Sequence, residues 1–462
     1  MARRRIELLA GVVGAASLGA EIAAARLLAP WFGASTIVWA NTIATVLVAL
    51  SAGYWIGGRI ADRDPTLLGL SRLVLAAAAL LALVPFVAGP FLRVSVDALD
   101  AVEAGAFAGS LFAVLVLVAT PILLLGMAAP YAVRLSVARI EEAGRITGRL
   151  YAISTLGSLA GVFLSALVLI PVVGTRRTFL AFALALALAA LPALGRRFVL
   201  APVGVAALLA LPAGAVKASD DARVLWERET EYQYARVTER LGVRRLELNE
   251  GQAVHSVYTA GAWLTGDYWD EMLVLPFAEG AGAPRSVAIL GNAAGTTARA
   301  YGHFFPHARV EGVEIDPALT EVGRRLFDLR GPNLHLHTDD ARPFLRRADR
   351  RWDVIVVDAY RQPYIPFYLA TREFFRLVRD RLTRGGMALV NVGHPEDSHR
   401  LEQVIGATMA DVFGTVLRDP SEPTNTVLAG ATSGASAERL RAAAPVLPAP
   451  LRPVAAAAAA RL

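Results

Sequence analysis

Three acidic side chains of the C-terminal half lie where predicted strands end. Glu314, Asp340 and Asp358 each close or directly follow a short alternating or apolar run. Because the carboxyl ends of parallel strands meet at one edge of a sheet, we expect these acids to share a cleft. A carboxylate that emerges from a buried strand, as Asp358 does, can act as a general base or bind an amine. The alternative for each acid is a loop or helix cap.

A glycine-containing turn precedes the first of these acids. Gly291-Asn-Ala-Ala-Gly295 follows a predicted strand and opens a predicted helix. Glycine lets a ligand approach the backbone closely, and a helix N-terminus favours polar or anionic groups. Glu314 follows Gly291 by 23 residues, which suits hydrogen bonding to ribose hydroxyls. Asp340-Ala341 places an acid where the exocyclic amine of an adenine could be bound. A purely structural turn and helix caps are the alternatives.

Strand-like and helix-like segments alternate around these residues. Such alternation predicts a parallel sheet covered by helices on both faces. Just upstream, the alternating segments 235–240 and 244–248 predict a small antiparallel unit. The predicted strands are 286–290, 309–315, 333–337, 352–358 and 386–391, and the predicted helices are about 295–304, one beginning near Pro317, and 371–383.

The first 217 residues are much more apolar than the rest. The whole chain is 55% hydrophobic and 19% charged, with a mean hydropathy of +0.47. Since a membrane-spanning helix needs roughly 20 apolar residues, we predict an N-terminal α-helical transmembrane bundle in contact with the lipid bilayer. About seven segments qualify: 6–28, 36–57, 67–89, 107–128, 149–172, 177–194 and 197–215.

Arginine in alternate short loops indicates the orientation of these segments. The arrangement predicts a multi-pass protein of the cell membrane with a cytoplasmic N-terminus. Seven full spans would put the C-terminal domain outside, so we expect one of the last two, proline-interrupted segments not to span. The C-terminal domain would then be cytoplasmic. Asn41, inside the second segment, is expected to form an interhelical hydrogen bond.

Composition excludes several other classes of function. The net charge is +6, but the arginines are scattered, whereas a nucleic-acid site would cluster them. The absence of cysteine excludes disulfides, thiolate metal sites and a cysteine nucleophile, and we expect no metal. We predict four regions: a helical domain 1–217, a small β unit 223–285, a nucleotide-binding domain 286–431, and a low-complexity tail 432–462 that is disordered or peripheral.

The C-terminal half resembles the spermidine synthase family, specifically its membrane-fused bacterial branch. Glu229–Gln233 is similar to the family's entry strand, and Leu246–Ser256 to its substrate-gating strand. Tyr268–Met272 resembles the family's Tyr-His-Glu segment. Glu314-Ile-Asp, Asp340-Ala341 and Asp358-Ala359 follow in the family's order. The segment Gly57–Arg63 separately resembles a loop of major-facilitator transporters, so the helical half is half-transporter-like.

The resemblance implies a Rossmann-like class I methyltransferase fold. It also implies an aminopropyl transfer from decarboxylated S-adenosylmethionine to an amine such as putrescine. Asp358 would accept the proton of the attacking amine, Glu314 would hold ribose, and Asp340 with Ala341 would contact adenine, next to the turn Gly291–Gly295. The residues that would contact the substrate are Gln252, His255, Asp270, Glu271 and Tyr360. A homo-oligomer is possible.

The chain departs from the family pattern at two positions. Ala294 stands where the nucleotide loop usually offers an acid, and Arg361 stands where a second acid usually follows the proton acceptor. Two alternatives therefore stay open. One is another S-adenosylmethionine-dependent transferase, such as a methyltransferase. The other is a non-catalytic transporter-like or sensor membrane protein.

Overall fold

A computed structural model describes residues 2–33, 35–100, 105–211, 221–249, 253–280, 282–360 and 365–462. The chain divides into two compact units. The division does not fall at the predicted boundary near residue 223, because two pieces of the small β unit group with the N-terminal helices. The first unit is Met1–Asp220, Trp226–Arg236 and Leu248–Gly251, and the second is Asp221–Leu225, Val237–Glu247 and Gln252–Leu462.

Small residues bring the helices of the first unit close together. A Cβ on Gly157 would lie 2.1 Å from the carbonyl oxygen of Gly11, and one on Gly53 would lie 2.3 Å from that of Leu123. Such contacts are typical of helix packing in membranes. The Asn41 amide donates to Ser110 Oγ at 2.9 Å, which confirms the expected interhelical bond. The helices are α1 (Ala2–Phe32), α2 (Thr36–Arg63), α3 (Leu67–Asp100), α4 (Gly105–Leu117), α5 (Ala119–Ser136), α6 (Ala143–Phe163), α7 (Ile170–Leu194) and α8 (Leu200–Ala210).

Five helices of the described residues are long and apolar enough to cross a membrane, against the seven segments predicted. The longest runs over Ile140–Leu194 and covers two predicted segments, with its backbone broken at Gly174 (φ +83°). The predicted segment 107–128 divides between α4 and α5, and in the described part of 197–215, which ends at Leu211, the α-helix is the short α8. The five are Arg3–Phe32, Thr36–Arg63, Leu67–Ser95, Ala119–Ser136 and Ile140–Leu194.

Two sheets form the C-terminal half. The smaller has the order β1-β2-β3-β4, and its strands are β1 (Arg223–Glu229), β2 (Tyr234–Arg240), β3 (Val243–Leu248) and β4 (Val254–Thr259). The larger has the order β10-β11-β9-β8-β5-β6-β7. Its strands are β5 (Ser286–Leu290), β6 (Arg309–Glu314), β7 (Leu334–Thr338), β8 (Trp352–Val357), β9 (Leu382–Gly393), β10 (Thr415–Glu422) and β11 (Asn425–Ala431).

The larger sheet is mostly parallel, as predicted. Strands β5 to β9 run parallel, while β11 is antiparallel to β9 and to β10. The chain builds outward from β5 through β6 and β7, then crosses back to β8 on the other side of β5. This order and its single reversed strand confirm a Rossmann-like, methyltransferase-type fold. The change of direction lies between β5 and β8, where ligands bind in open α/β sheets.

Both faces of this sheet are buried, because side chains alternate along each strand. Val287 and Ile289 pack in one hydrophobic core, and Ala288 and Leu290 pack in the other. The surrounding helices are α9 (Glu271–Val274), α10 (Thr296–Phe304), α11 (Pro317–Leu326), α12 (Ala341–Arg347), α13 (Arg372–Asp380), α14 (Arg400–Ala410), α15 (Ala437–Ala443) and α16 (Arg452–Arg461).

The C-terminal tail is not the peripheral segment that its composition predicted. It forms α15 and α16, and Leu440, Leu451 and Ala458 are buried in the core beneath the sheet. Arg461 donates to the fully buried Asp419 at 2.6 Å and to Glu271 at 3.0 Å. Alanine has a high helix propensity, and its small side chain allows close packing without the large apolar pattern that marks most core helices.

Candidate functional site

Asp358 follows β8 at the point where the order of the parallel strands reverses. Its carboxylate accepts three hydrogen bonds from uncharged donors. Tyr268 Oη donates at 3.0 Å, Asn391 Nδ2 at 2.9 Å and Trp269 Nε1 at 3.3 Å. A carboxylate has about four acceptor positions. The arrangement therefore leaves about one position of Asp358 for a further donor.

Burial makes this carboxyl group more basic than an ordinary aspartate. Loss of solvation raises the pKa of Asp358 to about 6, although the hydrogen bonds from Asn391, Tyr268 and Trp269 act in the opposite direction. The same burial, together with the nearby Asp358 charge, raises the pKa of the Tyr268 phenol well above its usual value. At neutral pH, Asp358 is therefore mostly ionised while Tyr268 keeps its proton and donates it.

The glycine turn lies directly beside Asp358. Gly291 has a φ of +88°, and a Cβ there would lie 2.5 Å from the carbonyl oxygen of Asp358. The backbone N–H of Asp358 in turn donates to the carbonyl of Leu290 at 2.8 Å. Gly295 also has a positive φ, and a Cβ there would collide with Leu329. Only glycine fits at either end of this turn without strain.

Glu314, at the end of β6, faces the same turn. One carboxylate oxygen accepts from Ala293 N at 2.8 Å and the other from Asp316 N at 3.0 Å. Burial raises the pKa of Glu314 to about 7, against the effect of these backbone donors. The backbone N–H of Ile315 contributes a third hydrogen bond, so about one acceptor position of Glu314 is left for a ligand hydroxyl. Asp316 caps α11 by accepting from Ala318 N at 3.0 Å.

Asp340 lies at the same edge of the sheet, one strand further out, and begins α12. Its Oδ1 accepts from Arg342 N at 2.9 Å, which is the helix-cap role, and its Oδ2 accepts from Tyr368 Oη at 3.0 Å. Ala341 is buried at the first position of the helix. Contact between Asp340 and an adenine stays a prediction.

The segment Leu246–Ser256, for which the resemblance predicted a gating strand, covers the end of β3 and the start of β4. Strand β4 contacts the glycine turn, and the gating role stays a prediction. Ser256 Oγ accepts from Ala294 N at 3.0 Å, and Thr296 Oγ1 accepts from Val257 N at 2.8 Å. His255 lies in this strand and is half-buried. The other residue predicted here, Gln252, lies outside the described residues.

Two of the predicted substrate acids have structural partners. Asp270 accepts from the backbone N–H groups of Thr265 and Gly266 at 2.8 to 3.1 Å and so holds a turn. Glu271 pairs with Arg461. Their neighbours Tyr268 and Trp269 reach Asp358 instead. A role in substrate binding stays a prediction for Asp270 and Glu271.

Tyr360 donates to the carbonyl oxygen of Asn391 at 2.9 Å and accepts from Gly393 N, so it holds the end of β9 near Asp358. Its own contact with substrate stays a prediction. Asn391 was not among the predicted site residues. The rule that identified Asp358 would have found it, because Asn391 ends the segment 386–391 at the same edge.

One other cluster of titratable side chains has a spacing that a metal ion could use. His399 Nδ1 and His394 Nε2 lie 3.2 and 3.6 Å from Glu402 Oε2. However, Arg418 donates to both oxygens of Glu402, and Thr426 Oγ1 donates to Oε2 at 3.0 Å. Oε2, the oxygen that faces both histidines, therefore already accepts two hydrogen bonds, and Arg418 neutralises the carboxylate, so we interpret the cluster as a hydrogen-bonded network.

The fold and this site together define a Rossmann-like α/β domain with a basic carboxylate beside its glycine turn. Comparison with known proteins makes the class more specific. Residues 268–426 match the family model of the spermine/spermidine synthase domain. The C-terminal part of the chain therefore carries such a domain, which confirms the resemblance inferred from its motifs.

Individual relatives agree with this assignment. The chain is 33% identical over 223 residues to a probable polyamine aminopropyl transferase of Bifidobacterium longum, covering 47% of this chain and 49% of that protein. It is 31% identical over 151 residues to a polyamine aminopropyltransferase of Vibrio vulnificus, covering 31% and 50%. The chain thus spans about half the length of these curated relatives. A probable spermidine synthase structure from Corynebacterium glutamicum aligns with 22% identity and a TM-score of 0.42, over 52% of this chain and 95% of that one.

Proposed function

We propose that the C-terminal domain transfers an aminopropyl group from decarboxylated S-adenosylmethionine to an amine such as putrescine. The observation that carries the proposal is the carboxylate of Asp358, which lies beside the glycine turn with about one acceptor position open. The match of residues 268–426 to the spermine/spermidine synthase domain and the names of the relatives support the same reaction.

Asp358 acts as the general base in this proposal. An ammonium has no lone pair, so Asp358 first accepts one of its protons. The free amine nitrogen then attacks the propyl carbon bonded to the sulfonium. A C–N bond forms as the C–S bond breaks, and the electron pair of that bond stays on sulfur, which leaves as a neutral adenosine thioether. A pKa of about 6 leaves Asp358 ionised at neutral pH but more basic than a free aspartate.

The residues around the glycine turn would bind the nucleoside part of the aminopropyl donor. Glu314 would accept a hydrogen bond from a ribose hydroxyl, since about one of its acceptor positions is left open. Gly291 lets the ligand approach the backbone closely. Asp340, at the same edge of the sheet, would accept from the adenine amine. These assignments follow from the placement of the residues and from the resemblance to the family.

A second candidate function uses intact S-adenosylmethionine. Ala294 is fully buried, and its backbone N–H is engaged by Ser256. No acid therefore stands at this position to attract the ammonium of an aminopropyl tail. A donor that still carries its carboxylate would not be repelled here, which favours a different transferase. The other departure, Arg361, lies outside the described residues.

Calorimetry and turnover assays on the purified full-length chain in detergent distinguish these functions. We expect tighter binding of decarboxylated S-adenosylmethionine than of the intact molecule, and formation of an aminopropylated product with putrescine. Preference for the intact donor, with methyl transfer, would favour the second candidate. Nucleoside binding without turnover for any amine tested would instead support a sensor.

We also propose that the N-terminal helices anchor the protein in the cell membrane, with the C-terminal domain in the cytoplasm. The length and composition of five helices support the membrane anchor. The cytoplasmic placement of the C-terminal domain requires in addition that the longest of them, Ile140–Leu194, which is broken at Gly174, crosses the membrane twice and so makes six spans. The chain should remain in the membrane pellet after washing at alkaline pH, and a reporter fused after Leu462 should be active only in the cytoplasm. Extraction into the wash, or an external reporter signal, would contradict it.

A further inference from the structure

A chain of side-chain hydrogen bonds leads from the hairpin between β10 and β11 to Asp358. Thr424 Oγ1 donates to Asn425 Oδ1 at 3.3 Å, and Asn425 Nδ2 donates to Asn391 Oδ1 at 2.9 Å. Asn391 Nδ2 then donates to Asp358 Oδ1 at 2.9 Å. In each of these three hydrogen bonds, the donor lies further from Asp358 and the acceptor lies nearer to it. Aligned bonds of this kind polarise and strengthen one another.

The pairing of β9 and β11 brings the two asparagines together. Asn425 is opposite Gly393, and Val427 is opposite Asn391, in an antiparallel register. Asn391 and Asn425 are therefore diagonal neighbours on one face of the sheet, a separation that side chains can bridge. Asn391 is only 3% exposed, so both ends of its amide need partners within the protein.

The ionised state of Asp358 fixes the direction of these bonds. A carboxylate only accepts, so Asn391 must present its NH2 group to Asp358. The amide oxygen of Asn391 then faces away and needs a donor, and the NH2 group of Asn425 meets that need. With the Asn391 amide reversed, its oxygen would face the carboxylate, and two acceptors would repel each other.

We propose that Asn425 is a positioning residue for the base: by donating to Asn391, it keeps the N–H of Asn391 directed at Asp358. The proposal rests on the function proposed above for Asp358. The consequence is that Asn425, which does not touch Asp358, stabilises the ionised form of the base. Loss of its N–H should therefore make Asp358 hold a proton to higher pH.

Other groups that face Asp358 do not replace this effect. Among the described residues, the titratable groups around it are the phenols of Tyr268 and Tyr360, and burial raises the pKa of both. Glu422 accepts from the backbone N–H of Tyr268 at 2.7 Å. Trp269 is uncharged and can only donate. None of these groups bonds to Asn391 Oδ1, which has Asn425 as its partner.

The test compares Asn425→Asp with a matched control, Asn333→Asp. Asn425→Asp keeps the size of the side chain but replaces its NH2 group by an acceptor. Because the new carboxylate also adds a negative charge, the uncharged Asn425→Leu is measured beside it and should move the acidic limb in the same direction. The amide of Asn333 is a donor too, to the backbone carbonyl of Ala308 at 3.0 Å, but Asn333 precedes β7 at the opposite edge of the sheet. We expect Asn425→Asp to move the acidic limb of kcat/KM up by about one pH unit, so that activity falls about tenfold near pH 5.5 and little at pH 9. The control should leave the limb in place.

A uniform loss of kcat/KM at every pH, with an unmoved acidic limb, would overturn the proposal and leave Asn425 a structural role. A second measurement does not need turnover. Asp358→Asn is made in the wild-type and Asn425→Asp proteins, and its effect on the free energy of unfolding is followed from pH 4 to 9. The midpoint of that effect should lie at higher pH with Asn425→Asp. If the midpoint is the same in both proteins, the positioning role of Asn425 is refuted. If the midpoint is shifted but no aminopropyl transfer is detected, only the proposed function is refuted.

Discussion

Replacing the carboxylate of Asp358 by the amide in Asp358→Asn should separate catalysis from stability. The variant keeps the shape of the side chain but removes the group that accepts the proton. General bases typically contribute 10²- to 10⁴-fold to a rate, so we expect kcat to fall by about that factor. Affinity for the donor should change little, because Glu314 and the turn at Gly291 remain.

The same substitution should stabilise the domain above pH 6. A pKa raised from 3.8 to about 6 means that ionising Asp358 in the folded protein costs about 3 kcal/mol more than in the unfolded chain. The sign follows from linkage: this cost is absent below pH 3.8, where the group is protonated in both states, and it is fully present above pH 6. Asp358→Asn should therefore raise the free energy of unfolding at pH 8 by up to about 3 kcal/mol, and by almost nothing at pH 4.

Denaturant unfolding of the full-length chain in detergent, followed by tryptophan fluorescence at pH 4, 6 and 8, measures this effect, and turnover is assayed on the same samples. Asp353→Asn provides a matched control on β8, because Asp353 accepts from Arg285 N and Ser286 N at the opposite edge of the sheet. It should lower stability and leave the chemical step intact. Unchanged turnover in Asp358→Asn would refute the role of the base, and a stability gain that does not vary with pH would refute the raised pKa.

Three further substitutions test other parts of the structure. Gly291→Ala places a Cβ 2.5 Å from the carbonyl of Asp358 at a positive φ, so it should cost at least about 2 kcal/mol in unfolding free energy. Glu314→Gln should weaken binding of the nucleoside donor about tenfold or more in calorimetry, and unchanged affinity would exclude ribose contact. Arg461→Leu leaves the buried Asp419 unpaired and should destabilise the domain by about 3 kcal/mol, whereas the exposed Arg452→Leu on the same helix should not.

The acids of the site could be predicted because each one follows a regular pattern. Glu314 ends a strand with an alternating pattern and Asp358 follows a strand that ends in a continuous apolar run, and parallel strands end at a shared edge. The glycine turn was equally visible, since Gly291 and Gly295 stand between a strand and a helix. The sequence could not distinguish ligand contact from capping for Asp340, because a cap and a ligand require the same side chain at the same place.

The uncharged partners of Asp358 were harder to predict. Tyr268 and Trp269 come from a segment ninety residues upstream, whose position depends on tertiary packing and not on any local pattern. The prediction for the C-terminal tail, residues 432–462, was wrong for a different reason. Its alanines carry no amphipathic signal, and its attachment depends on Arg461 pairing with Asp419, a contact between distant parts of the sequence.

The nature of the groups around Asp358 bears on the reaction itself. A cationic neighbour would hold the pKa of Asp358 low and would repel the ammonium from which a proton must be taken. Uncharged donors orient the carboxylate without repelling the ammonium, and they lower its pKa by less than burial raises it. Trp269 and Asn391 present only N–H groups to it, so they cannot take up the proton once it has arrived. The hydroxyl of Tyr268 can also accept, so in the proposed reaction the proton leaves Asp358 either by way of Tyr268 or through the open acceptor position.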